Sequence, residues 1–186
     1  MRSIPFLLVL ATLFVASPTL HATTVFERPV EELARRATLV VRGVVAGSKS
    51  SWGDAEELPA TRTTLRVTKV LKGEAGETVV VRQAAGRGKG VALAIPGDAR
   101  FAVGEEVVVF LERHPAGDGS WVLTSMAAAK FQVRHGAKGD LAVRDLDGLS
   151  FARPGQDGLV RVDEKARPSA TLPLSDLLSR IAAARR

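Results

Sequence analysis

Cysteine is absent from the 186 residues, and so is tyrosine. Without a thiol the chain can form no disulfide framework, no thiolate metal site, no cysteine nucleophile and no lipid-bearing N-terminal cysteine. Aromatic side chains are scarce, with two Trp and seven Phe, which leaves few rings on which bases could stack, so nucleic acid is not an expected partner. Histidine is scarcer still at three. Beyond the first segment only His114 and His135 occur, each beside a turn residue, Pro115 and Gly136. Neither falls in a spacing such as H-E-x-x-H, so the sequence offers no metal site, and no cofactor is expected.

Catalytic patterns are missing as well. No G-x-S-x-G elbow presents a serine. Asp145 and Asp147 precede Gly148, yet the third acidic position and terminal Glu of a calcium loop are lacking, so they read as a strand-ending turn. The reading is of a non-enzymatic protein with no catalytic residue assigned. The rival from another class is a hydrolase whose site assembles from residues distant in sequence.

Long apolar runs are confined to the start. Arg2 is followed by an apolar stretch from Ile4 to Ala16 and by Ser17, Pro18, Thr19, Leu20, His21 and Ala22. A basic start, a short apolar centre and a small residue closing a polar segment are the layout of a secretory signal peptide. The run is shorter than the ~20 residues a membrane-spanning helix needs. Residues 1–22 are therefore expected to be cleaved after Ala22, which places the mature protein in the periplasm or outside the cell. Removing 22 of 186 residues leaves 164, enough for one domain to stand on its core without a covalent staple.

The mature chain divides by period. Val30, Leu33, Ala34 and Ala37 recur at helical spacing after Pro29, with Glu31 and Glu32 before Arg35 and Arg36, an order that suits the helix dipole. From Thr38 the pattern turns to strands: Leu39–Val45, Thr63–Leu71, Thr78–Gln83, Glu106–Glu112, Trp121–Thr124, Lys130–Arg134, Leu141–Arg144 and Leu159–Val162. The alternation fails at Val70 and Leu71, which predicts a bulge. Val107 to Leu111 is apolar on both faces, as in a strand covered on both sides. Seven or eight short strands without βαβ alternation predict an antiparallel sandwich or barrel. Residues 149–170, rich in Pro, Gly and charge, read as a linker. It leads to a C-terminal amphipathic helix within residues 171–186, with Leu174, Leu177, Leu178 and Ile181 on one stripe, Ser175 as cap and Arg185 and Arg186 at the negative end. That helix is expected to cover an open end of the sheet.

Lys and Arg number 26 against 20 Asp and Glu. The basic residues are scattered, which favours solubility over a nucleic-acid footprint; holding polyanions at a surface is the third functional reading. The long segment Ala84 to Arg100 carries Gly86, Arg87, Gly88, Lys89 and Gly90. It fails the phosphate-loop order, because Gly90 stands where Ser or Thr should follow Lys89. Glycines beside cations can still present N–H groups and charge to a ligand. Arg82, Arg87, Lys89 and Arg100 are thus the candidate binding residues.

Two stretches carry a family likeness: Leu33-Ala-Arg-Arg-Ala-Thr-Leu-Val-Val-Arg-Gly-Val-Val45, a short helix running into an apolar strand, and Thr63-Thr-Leu-Arg-Val-Thr-Lys-Val-Leu-Lys-Gly73. In order and separation they resemble the opening helix and first two strands of the netrin-like, or tissue-inhibitor-of-metalloproteinase-like, secreted OB-fold domains. The resemblance implies a mainly β fold, an OB-like antiparallel Greek-key barrel over residues 23–148, and a role in binding rather than catalysis. Inhibitors of that group reach a catalytic zinc with an N-terminal Cys, whereas Thr23 is the expected first residue here, so that mode of inhibition does not carry over. The expectation is an exported binding module contacting another exported protein, with a protease among the partner classes.

Overall fold

The computed structural model of the chain describes residues 22–52, 59–155, 157, 159–163, 165 and 167–184. Residues 1–21 of the expected signal peptide, residues 53–58, Gln156, Gly158, Glu164, Ala166, Arg185 and Arg186 lie outside the described residues. The elements in chain order are β1 (Thr23–Phe26), α1 (Val30–Arg36), β2 (Leu39–Ser51), β3 (Ala60–Lys72), β4 (Thr78–Gln83), β5 (Gly86–Gly88) and β6 (Val91–Leu93). There follow β7 (Glu106–Arg113), β8 (Trp121–Leu123), a 3-10 turn at Met126–Ala129, β9 (Lys130–Arg134), β10 (Leu141–Val143), β11 (Leu149–Pro154), β12 (Val160–Val162), β13 (Thr171–Pro173) and α2 (Leu174–Ala183).

Five strands close on themselves. β2 pairs antiparallel with β3 and β7, β3 pairs with β4, β4 meets β8 in parallel, and β8 returns antiparallel to β7. This circuit is the expected OB-like Greek-key barrel. Its driving residues alternate with the strand period of two. On β7, Val107, Val109 and Leu111 point inward with Leu39, Val41, Val45, Leu65, Val79, Val81 and Trp121, so the barrel is filled by side chains. Val108 and Phe110 of the same strand point outward into a second core that α1 and α2 cover. The run that reads as apolar on both faces is therefore buried twice.

The N-terminal half of β7 also pairs with β9, and β9, β10 and β13 continue the sheet beyond the barrel. α1 and α2 lie over this extension, burying Val30, Leu33 and Ala34 from one and Leu174, Leu177 and Ile181 from the other against Phe110, Phe131, Val133 and Ala142. Among the described residues no helix is long and apolar enough to cross a membrane. The C-terminus of α1 is gripped by Lys72, whose Nζ donates to the carbonyls of Ala34, Arg35 and Ala37 at 2.7, 3.0 and 2.6 Å. A cation at the negative end of a helix satisfies carbonyls that the helix itself cannot. The predicted irregularity in β3 falls at Leu71: Val40 pairs with Lys72 and Val41 with Val70, which leaves Leu71 as the extra residue.

Two expectations are corrected. Residues 149–170 are not a loose linker, because β11 lies within them, pairs in parallel with β1, and buries Leu149 and Phe151 in a third core with Ala99, Ala127, Ala128 and Leu146. Pairing with a strand more than a hundred residues away leaves no local pattern, and Pro154 and Gly155 make the segment read as a loop. Ser175 does not cap α2; Pro173 occupies the N-cap position and Ser175 lies inside the first turn.

Candidate functional site

The barrel interior is filled by valine, leucine and Trp121 side chains, and two clefts lie outside it. The four residues singled out from sequence lie in different surroundings. Arg82, on β4, directs Nη1 to Asp118 at 3.3 Å. Arg87 is exposed on β5. Lys89 stands at the tip of the β5–β6 hairpin with its Nζ 5.5 Å from the Trp52 ring. Lys89 and Gly90 have φ of 47° and 78°, the paired positive values of a two-residue hairpin turn, so part of the long segment is a built hairpin. Arg100 lines two adjoining clefts, of about 570 and 590 Å³, and the other three line neither.

Those clefts run between the barrel and the C-terminal strands and share Ala99, Arg100, Phe101, Asp145 and Asp147. The second is lined in part by Asp98, whose Oδ1 accepts from Gln83 Nε2 at 2.8 Å and from the Ala99 N–H at 2.9 Å. Burial raises the Asp98 carboxyl above its usual range, and those two hydrogen bonds oppose the rise. The first cleft is more basic: Lys130, Arg134, Arg144 and Arg167 line it with Arg100. Arg144 is the residue that the sequence reading passes over. Ala142 and Arg144 stand two apart along β10 and the residue that follows it, so the alternation that buries one turns the other the same way; both are buried, at 0% and 6% exposure.

On the outer barrel wall, Arg62 and Arg82 are cross-strand partners that approach Asp118, at 3.9 and 3.3 Å, in the β7–β8 connection. Ser120 donates both its hydroxyl and its backbone N–H to Asp118. His114 Nδ1 lies 3.8 Å from the same carboxylate. The grouping of Ser, His and Asp resembles a catalytic triad in composition only. A triad sets the imidazole between hydroxyl and carboxylate. Here the carboxylate is central, Ser120 is 5% exposed, and His114 Nδ1 accepts the Ala116 N–H at 3.2 Å. His135 sits at the far end of β9 between Glu106 (2.8 Å) and Asp140 (3.0 Å), which together raise its pKa above the ordinary histidine value. Among the described residues no group of three or more His, Cys, Asp or Glu side chains gathers as a metal site would require.

The Asp118 grouping has a pH signature. Its hydrogen bonds from the Ser120 hydroxyl and backbone N–H, aided by the charge of Arg82, lower the Asp118 pKa to about 2. A carboxyl whose pKa falls on folding adds stability above its unfolded value, and that increment is lost as pH drops from about 4 to about 2. Asp118→Asn is expected to be less stable than the wild type in urea unfolding near pH 6, with the difference closing by about pH 2. A gap of constant size across that range would show that the carboxylate charge is not what holds the turn.

No protein-family model matches this chain, and no curated protein matches it.

Proposed function

We propose that the protein is an exported, non-enzymatic binding module that contacts another exported protein by adding a strand of that partner to its own small sheet. The observation that carries this reading is the edge at β12. The sheet runs β1-β11-β12, and among the described residues β12 has no neighbour on its outer side. Its Val160 and Val162 are 54% and 59% exposed. Cross-strand register aligns Phe26, Ala152 and Val162 in one row and Pro154 with Val160 in the next, so Phe26, Pro154, Val160 and Val162 share the outer face. Phe26 is itself 44% exposed. Unpaired backbone groups beside an apolar row are what an extended peptide needs to dock as an added strand.

The netrin-like resemblance supports the same reading, since that group serves binding, and it makes a secreted protease the first partner class to seek. The N-terminal wedge used by metalloproteinase inhibitors is not the means. Thr23 donates its N–H to the Gly148 carbonyl at 2.9 Å and its hydroxyl to Pro96 at 2.6 Å, which ties that residue into the fold. Cleavage after Ala22 leaves β1 and these bonds whole.

The test places a photo-crosslinking side chain at Val162 in the purified protein and exposes it to the native exported fraction. A discrete adduct with one exported protein, abolished by Val160→Lys, is the expected result. Val160 is exposed, so the substitution changes stability by no more than about 0.5 kcal/mol. Failure to form any adduct, or an adduct indifferent to Val160→Lys, overturns strand addition at β12.

A further inference from the structure

The inner face of the barrel changes character at one end. Leu65 points into the barrel core, and the period of two that turns it inward turns Thr63 and Thr61 of β3 the same way. Register sets Ser48 and Val81 beside Thr63, and Ser50 and Gln83 beside Thr61, so the apolar filling gives way to a layer of hydroxyls and one amide. The cleft of about 590 Å³ opens on this layer, with Ser48, Thr61, Thr63 and Gln83 all in its lining. That size is within the range of small-molecule sites. The β5–β6 hairpin forms the opposite lip: a Cβ on Gly86 would stand 3.0 Å from Thr61 Oγ1, and Leu93, its cross-strand partner, shares that face.

Two acceptors at this mouth are left over. Gln83 Nε2 donates to Asp98 Oδ1 at 2.8 Å and to the Ala99 carbonyl at 2.6 Å, which fixes the amide with Oε1 at its free end. Asp98 Oδ1 also takes the Ala99 N–H, whereas Asp98 Oδ2 and Gln83 Oε1 have no hydrogen-bond partner among the described residues. Among those residues Arg144 Nε is the one unpaired side-chain atom shut away from solvent, so both oxygens are open. Gln83 stands on the cleft side of β4, and so does the carboxyl bonded to it. Burial raises the Asp98 pKa, and no cation is among the groups that oppose the rise. Of the other charged residues in the lining, Asp147 faces Arg167 at 3.5 Å, which leaves Asp98 and Asp145 against Arg100, an excess of one negative charge. An open carboxylate oxygen beside an open amide oxygen suits a donor that carries positive charge. We propose that this mouth binds a small organic cation, with a protonated amine head donating to Asp98 Oδ2 and Gln83 Oε1 and an apolar body against Leu93 and Ile95 on the hairpin side. The site is separate from the β12 edge and stands or falls apart from it.

Benzylamine, benzyl alcohol and benzoate share one ring and differ in their heads, so titrating each into the purified protein near pH 7 at constant ionic strength tests the site. Saturable binding of benzylamine alone, with shifts of the Gln83 side-chain amide resonances, is the expected result. Asp98→Asn keeps the size of the side chain and turns the open acceptor into a donor, and is expected to weaken benzylamine binding about tenfold or more. Arg100→Ala removes the unpaired cation of the lining at an exposed position and is expected to tighten binding about threefold. That variant carries the test should Asp98→Asn fail to fold. If benzylamine does not saturate, if benzyl alcohol binds as tightly, or if the folded variants bind as the wild type does, the proposal is overturned.

Discussion

Phe131→Ala is expected to destabilise the protein by about 3–5 kcal/mol in urea unfolding, the range for deleting a buried aromatic side chain. The ring is fully buried in the core shared by β7, β9 and both helices. It lies 5.8 Å from the Phe110 ring at a 57° tilt, so its loss removes an aromatic pair as well as apolar area. The Arg144 guanidinium also rests against the ring and loses a cation–π contact of roughly 0.5–2 kcal/mol. Phe131→Leu keeps most of the volume and is expected to lose less than about 1.5 kcal/mol beyond the missing ring contacts. Since domains of this kind are stable by only about 5–15 kcal/mol, the alanine variant should show a large drop in transition midpoint with little change in slope. A loss below about 1 kcal/mol would mean that helices and sheet do not share this core.

What the sequence makes legible is whatever repeats locally. The 107–111 run and the α1 spacing from Val30 to Ala37 each carry their own burial pattern and are buried as it requires, and of the stripe Leu174, Leu177, Leu178 and Ile181 all but the half-buried Leu178 are buried. The bulge at Leu71 is visible because a break in alternation is itself a signal. Pairings between distant segments are another matter. β1 and β11 meet in parallel from segments far apart in the chain, and nothing in Thr23–Phe26 states that Leu149–Pro154 is its neighbour.

The four candidate binding residues share nearness in sequence to a glycine-rich segment, and nearness in sequence does not converge them. Arg82 is drawn to Asp118 by the closure of the barrel, and Lys89 to Trp52 by the hairpin turn. Arg100 alone of the four lines the clefts beside the barrel. Alternation from Ala142 is enough to place Arg144 inward. Its partners there are not legible in the chain, because pairing depends on which strands the fold sets side by side.

Gly73→Ala is expected to cost about 3 kcal/mol, combining the strain of a left-handed backbone with that of overpacking. Gly73 closes the turn between β3 and β4 at φ +75°, and a Cβ there would lie 2.4 Å from the Thr38 carbonyl oxygen and 3.4 Å from Leu39 Cα. Both obstacles are backbone, so no rotamer change relieves the clash. Thr38 joins α1 to β2 and donates its N–H to the Leu111 carbonyl at 2.8 Å, while the adjacent Lys72 holds the last carbonyls of α1. Displacing Thr38 therefore strains the barrel seam and the helix cap together. Gly76, three residues on, does not require positive φ, and a methyl group on its Cα would meet no heavy atom within 4 Å. Gly76→Ala should accordingly leave stability within about 1 kcal/mol of the wild type, on the stabilising side if the unfolded chain loses freedom. Urea midpoints of the two variants, measured side by side, separate the contributions: equal effects would mean that the turn accommodates a side chain at either position and that Gly73 does not lock α1 to the barrel.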